Sequence, residues 1–217
     1  MLKKILIGTA LCLGLVFVAQ INSSADEDIL NSSSMPQVGL KIGGNYSNVW
    51  DAEGEEFNSD PKLGLVIGGW VSVPLGPMIG VQPEIHFSQR GFLATGKLLG
   101  TAYKFTRTSS FLDIPLLFAI KPIPMLTLLI GPQYSFLLSQ KNEFANGTTT
   151  IDQEKAFDNE NYRKNILCFV LGGDVNLGHT VLGARAGFDF INNNGDGTQT
   201  TPRYKNVWFQ ATLGFRL

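Results

Sequence analysis

Cysteine is nearly absent: Cys12 and Cys168 are the two in 217 residues. The first lies in an apolar leader, so loss of the leader leaves one thiol and excludes an intramolecular disulfide. An exported chain without one is stabilised by packing and backbone pairing alone. Charge is scarce as well, at 16% of residues with a formal net charge of −1. That balance offers no basic patch, and nucleic acid is excluded as an expected partner. Beyond the leader, no stretch supplies the ~20 continuous apolar residues that a membrane-spanning helix needs. Yet 15 Phe and a hydrophobic fraction of 44% make the chain too apolar for disorder. An apolar chain without long apolar runs points to alternation.

The N-terminus reads as a secretory signal peptide over residues 1–25, with Lys3 and Lys4 ahead of an apolar run from Ile5 to Ala19. The run falls short of a spanning helix. Small residues at Ala19 and from Ser23 to Ala25 place cleavage between about 19 and 25. Cys12 follows Leu11 after a short approach, whereas lipidation wants a small residue before the cysteine. Residues 26–36 (DEDILNSSSMP) form a polar lead-in, and 37–217 a single domain.

Within that domain the dominant signal has period two. It is cleanest in residues 79–90, where Ile79, Val81, Pro83, Ile85 and Phe87 face one way and Gln82, Glu84, His86, Ser88 and Arg90 the other. A strand puts Ile85 and His86 on opposite faces; a helix would set them only ~100° apart. Similar segments lie at 38–46, 63–73, 111–120, 126–139, 166–177, 181–190 and 206–217, making eight. One parity break stands out. Tyr103 and Phe105 are odd-numbered, whereas the apolar positions Leu112 to Phe118 are even. The strand must therefore bulge around Thr106 to Ser110, or else begin only at Ser109.

Connections are expected to alternate in length, long at 47–62, 91–108, 140–165 and 192–205, and short at 74–78, 121–125 and 178–180. This is the pattern of an all-β, eight-stranded antiparallel up-and-down transmembrane barrel, with both termini in the periplasm and four outer loops. Strands tilted by ~40° cover the ~25 Å apolar band. The outward face is aliphatic and aromatic throughout, and Tyr46, Phe87, Phe136, Phe190 and Phe209 near loop ends, with Phe118 and Phe215 near turn ends, suit two interfacial girdles.

The opposite face carries a balanced charge set: Lys41, Arg90, Arg185 and Arg216 against Glu84, Asp113, Asp174 and Asp189. Enclosed charges must pair or stay hydrated. With Gln82 and His86, these residues are the expected interior polar network. A soluble lipocalin-type carrier would reverse the two faces and has no need of that balance.

Three stretches, PEIHFSQRG, FLDIPLLFAIKP and LLIGPQYSFLLS, resemble the PorT-type outer-membrane β-barrel family. The shared residues are Ser88, Gln89, Arg90 and Gly91; Phe111 to Leu117; and Gly131, Pro132 and Tyr134. The later LGGDVNLG is similar to the family's sixth-strand end. The resemblance spans nearly the whole mature chain and implies fold, not activity. The founding member is associated with protein secretion across the outer membrane, but most relatives have no assigned role, and none is carried over.

No catalytic, metal-binding or cofactor-binding residue is expected. His86 beside Glu84 and Ser88 admits a lipid-modifying hydrolase as the alternative, but a triad usually draws on separate elements. His179 reads as an exposed turn residue. NNNGDG (192–197) resembles half of a calcium loop, yet the required Glu falls at Arg203. The acidic first loop (Asp51, Glu53, Glu55, Glu56, Asp60) reads as a solvated tip. Eight strands leave an interior wide enough only for side chains. Surface interaction or envelope integrity is therefore expected to reside in the loops. Expected partners are outer-membrane lipid and lipopolysaccharide, the barrel-insertion machinery reading Leu213, Phe215 and Leu217, and extracellular or secretion-system proteins.

Overall fold

The computed structural model describes residues 35–51, 59–98, 101–146, 149–156, 163–191 and 204–217. The leader, most of the lead-in, the tip of the first long connection and the NNNGDG stretch lie outside the described residues. Among the described residues nine strands follow one another: β1 (Gln37–Asp51), β2 (Ser59–Pro74), β3 (Ile79–Leu98), β4 (Thr101–Ile123), β5 (Leu126–Asn146), β6 (Thr149–Ala156), β7 (Asn165–Leu177), β8 (Thr180–Asp189) and β9 (Tyr204–Arg216). All pairings are antiparallel. Each strand pairs with its neighbour in the ring, β7 with β5, and β9 returns to β1, closing eight strands into a barrel. β6 stands outside the ring and, among the described residues, pairs with the end of β5, Ser139–Asn146. Closure removes the edges that an open sheet would leave unpaired in lipid.

The period-two pattern decides which face lies inside. Leu40 is 60% exposed and Phe209 69%, whereas Lys41 is 5% exposed and Arg90 1%. Large apolar side chains line the outer wall and charged ones are enclosed, the reverse of a lipocalin, so the geometry does not favour the soluble-carrier alternative.

Short turns occupy 75–78, 124–125 and 178–179. In the last, Gly178 takes φ +62°, a left-handed value that a tight hairpin needs and that glycine adopts freely. His179 is exposed but not idle. Its ring stacks on Phe215 at 5.6 Å, and Nδ1 lies 3.0 Å from the Arg216 carbonyl.

The expected loops differ from what forms. β3 and β4 continue as one ladder to the pair Leu98–Thr101, through most of the expected 91–108 loop. β5 and β6 likewise form a hairpin within 140–165. Backbone pairing persists above the apolar band because it needs no apolar face. The parity break also resolves differently. β3 and β4 keep one register throughout, so Phe105 simply turns inward, where it packs with Val49, Phe92 and Ala94. The irregularity falls on β5 instead. Pairing shifts from Ser110–Ser139 to Phe111–Leu137, so Leu138 is the extra residue of a bulge.

A second irregularity lies between β2 and β3, where pairing shifts between Pro61 and Val66. Inward side chains of β1 bridge that gap. Asn45 Nδ2 donates to Ser88 Oγ and to the Gln89 carbonyl, each at 3.0 Å. Ser47 Oγ donates to the Gly91 carbonyl at 3.0 Å and accepts from the Gly91 N–H at 2.8 Å.

Candidate functional site

The candidate site is the barrel interior, built by inward positions of all eight ring strands. Its lower ionic cluster centres on Glu84 of β3. Lys41 of β1 donates to Glu84 Oε2 at 2.8 Å, Arg185 of β8 donates to the same oxygen, and Gln82 donates to Oε1 at 2.8 Å. His86 Nε2 lies 2.9 Å from Oε2 without a well-aligned hydrogen bond. Arg185 reaches on to Asp174 of β7 at 3.4 Å. Two cations thus face two carboxylates, all buried. Enclosing an ion costs several kcal/mol, and only close, hydrogen-bonded pairing offsets that.

The second cluster centres on Arg90. Its guanidinium pairs with Asp113 of β4 and donates to Ser135 at 3.2 Å, with Asp189 at 4.0 Å. It also lies 3.8 Å over the Trp208 ring and 4.7 Å from that of Phe111. A planar, weakly hydrated guanidinium suits such a sandwich in a way an ammonium would not. Asp189 is held by Cys168 Sγ at 3.2 Å and by the Asn206 backbone and side-chain amides at 2.9 and 2.6 Å.

Nine of the ten expected residues therefore fall into two clusters: Lys41, Gln82, Glu84, His86, Asp174 and Arg185 in one, Arg90, Asp113 and Asp189 in the other. Arg216 joins neither. It sits at the turn end and donates to Asn176 at 2.7 Å, and Asn176 donates to Thr127 at 3.0 Å.

Trp70, Trp208, Ser135 and Cys168 are also buried in the interior and are absent from those ten. Their signal was available as parity, since each falls on the inward register of its strand. Glycine makes room for the two indoles. A Cβ on Gly39 would lie 2.2 Å from the Trp70 ring, and one on Gly187 2.3 Å from that of Trp208. Above both clusters, Phe92 and Phe105 pack at 6.0 Å, with Arg107 5.6 and 5.3 Å from their ring centres. The ionic clusters share the lumen with a buried apolar cluster that includes Phe111, Leu117, Ala119, Leu129 and Val170.

Chemically, the arrangement favours fixed charge over reactivity. The Ser88 hydroxyl accepts from Asn45, and His86 faces Glu84. Among the described residues no group of three or more His, Cys, Asp and Glu converges to hold a metal ion.

The sequence matches, over residues 18–197, the family described as outer membrane protein beta-barrel domain. No curated protein matches. Solved structures similar to this chain include Ail, the attachment invasion locus protein of Yersinia pestis, in complex with the heparin analogue sucrose octasulfate. Identity is 14% and the TM-score 0.48, covering 84% of this chain and 99% of that one. Neisserial surface protein A is 9% identical with a TM-score of 0.47, covering 83% and 97%. The outer membrane protein OprG from Pseudomonas aeruginosa is 11% identical with a TM-score of 0.35, covering 85% and 96%. With its inverted faces, closed ring and match over most of its length, the chain belongs to the outer membrane protein beta-barrel family and is a small eight-stranded barrel of the bacterial outer membrane.

Proposed function

We propose that this is a non-enzymatic barrel of the PorT type, with its termini in the periplasm, whose interior is a plug and whose work is done outside the lipid by the long connections. Surface interaction or envelope integrity is the role that fits. The observation that carries this reading is the filled lumen, where Glu84 and Arg90 anchor two layers of paired charge beneath the Phe92–Phe105 cap. Such a lumen gives solutes no open path, and its fixed ion pairs serve rigidity. Outer-membrane lipid and lipopolysaccharide would contact the aliphatic wall, and the insertion machinery the Leu213, Phe215, Leu217 end. Protein partners, extracellular or of a secretion system, would meet the long connections.

A lipid-modifying enzyme using His86 and Ser88 has less support, because both are enclosed and engaged by Glu84 and Asn45. Planar-bilayer recording tests the plug. The proposal expects no steady conductance after insertion, and a large, steady one contradicts it.

A further inference from the structure

Among the described residues, the longest lapse in the ring's backbone ladder lies between β2 and β3. Pairing stops at Pro61–Phe92 and resumes at Val66–Ser88, so residues 62–65 face residues 89–91 with one residue in excess. The shift at Leu138 of β5, by contrast, is absorbed within a single residue. An extra residue spread over such a stretch disrupts the ladder and leaves backbone groups for side chains to satisfy. Pro61, at the edge of the lapse, has no N–H to give.

Those side chains come largely from β1. Asn45 and Ser47 are fixed in the ladder on both sides, opposite Gly64 and Lys62 of β2 and opposite Gln210 and Trp208 of β9. From there they reach past β2 to β3. Asn45 Nδ2 donates to Ser88 Oγ and to the Gln89 carbonyl, and Ser47 Oγ bonds both the N–H and the carbonyl of Gly91. Gly64 lies between without a side chain, and a Cβ there would come within 2.2 Å of the Gln89 carbonyl oxygen. The Leu65 N–H donates to Gln89 Oε1 at 3.4 Å, a long bond. A side-chain bond is lost with one rotamer change, whereas a ladder bond is lost only together with its neighbours. The lipid side leaves room for movement. Leu63 and Leu65 are exposed on the wall, and farther along the same two strands Ile67, Gly69, Ile85 and Phe87 border a recess of about 770 Å³.

We propose that β2 and β3 part locally over residues 62–65, a lateral opening toward the bilayer that Asn45 and Ser47 latch shut. The opening lies in the wall and not along the axis, so it stands or falls independently of the plug.

Residue-resolved hydrogen exchange of the full chain, folded in detergent micelles, tests this. The Leu65 and Gly91 amides should exchange roughly tenfold faster, or more, than those of residues 208–211. The latter lie directly across β1 from the seam and stay within the ladder. Asn45→Ala should speed both seam amides roughly tenfold further, which is about 1.4 kcal/mol, while residues 208–211 change far less. The Asn45 side chain bonds neither of those amides, so the acceleration reads the opening itself. Ser47→Ala, read at Leu65, serves if Asn45→Ala does not fold. Leu65 and Gly91 exchanging as slowly as residues 208–211 would overturn the opening. So would an equal acceleration of all these amides, which would mean that Asn45 supports the whole barrel and not this seam.

Discussion

Replacing Glu84 by Gln removes one negative charge from the centre of the lower cluster while keeping side-chain shape. In the native barrel that carboxylate answers Lys41 at 2.8 Å, Arg185 on the same oxygen and Gln82 on the other. After the change, two enclosed cations share only Asp174, which lies 3.4 Å from Arg185. Removing one partner of a buried ion pair costs about 3–5 kcal/mol, because the survivor keeps its desolvation penalty without its attraction. Here two survivors are left, so the upper part of that range applies. Urea unfolding in lipid vesicles, followed by tryptophan fluorescence and heat-modifiable gel migration, reads the loss directly. Trp70 lies beside the cluster, its ring centre 5.8 Å from Lys41 Nζ, and gives a local signal. A second change, Lys41→Met on the Glu84→Gln background, should recover at least ~1 kcal/mol by removing one stranded cation. A Glu84→Gln barrel within ~1 kcal/mol of the native one, with no recovery on the double change, would refute the reasoning, since it would mean the cations are hydrated and not paired.

Other outcomes follow from the same interior. Gly39→Val should cost about 1–3 kcal/mol or prevent folding, because its Cβ would overlap the Trp70 ring. Gly44→Ala should change stability by less than ~0.5 kcal/mol, because a Cβ on this outward glycine would meet only the Gly64 carbonyl, at 3.5 Å; the fraction of heat-modifiable folded protein compares the two. Cys168 is buried, so maleimide should label it slowly in the folded barrel and quickly in urea. Equal rates would place the thiol in water.

The parts of the fold legible in the sequence were those where the bilayer imposes a face. In β3, an apolar residue at every odd position from Ile79 to Phe87 and a polar one at every even position from Gln82 to Arg90 leave one arrangement open. The ladder beyond Gly91 was not legible, because outside lipid neither face must be apolar and the alternation lapses while the hydrogen bonds continue. β6 (TTIDQEKA) carries no strand pattern of its own and forms by pairing with β5. Inward and outward positions of the ten interior residues followed from parity, whereas their partners did not. Glu84 and Arg185 are 101 residues apart, and only closure of the ring brings them together. Trp70 and Trp208 illustrate a third limit. A large aromatic on the polar register looks like an exception until the glycines opposite, Gly39 and Gly187, are seen as the space it fills.

The central claim is an inverted barrel whose inward face is packed and dry. A spin-label scan of β9 from Val207 to Phe215, one position at a time on a Cys168→Ser background and refolded into vesicles, tests it most directly. Val207, Phe209, Ala211, Leu213 and Phe215 should be reached by oxygen dissolved in the bilayer, while Trp208, Gln210, Thr212 and Gly214 should be shielded from oxygen and from an aqueous nickel chelate alike. Loss of the alternation would contradict the assignment of faces. Even-numbered positions open to the nickel chelate would contradict the plug.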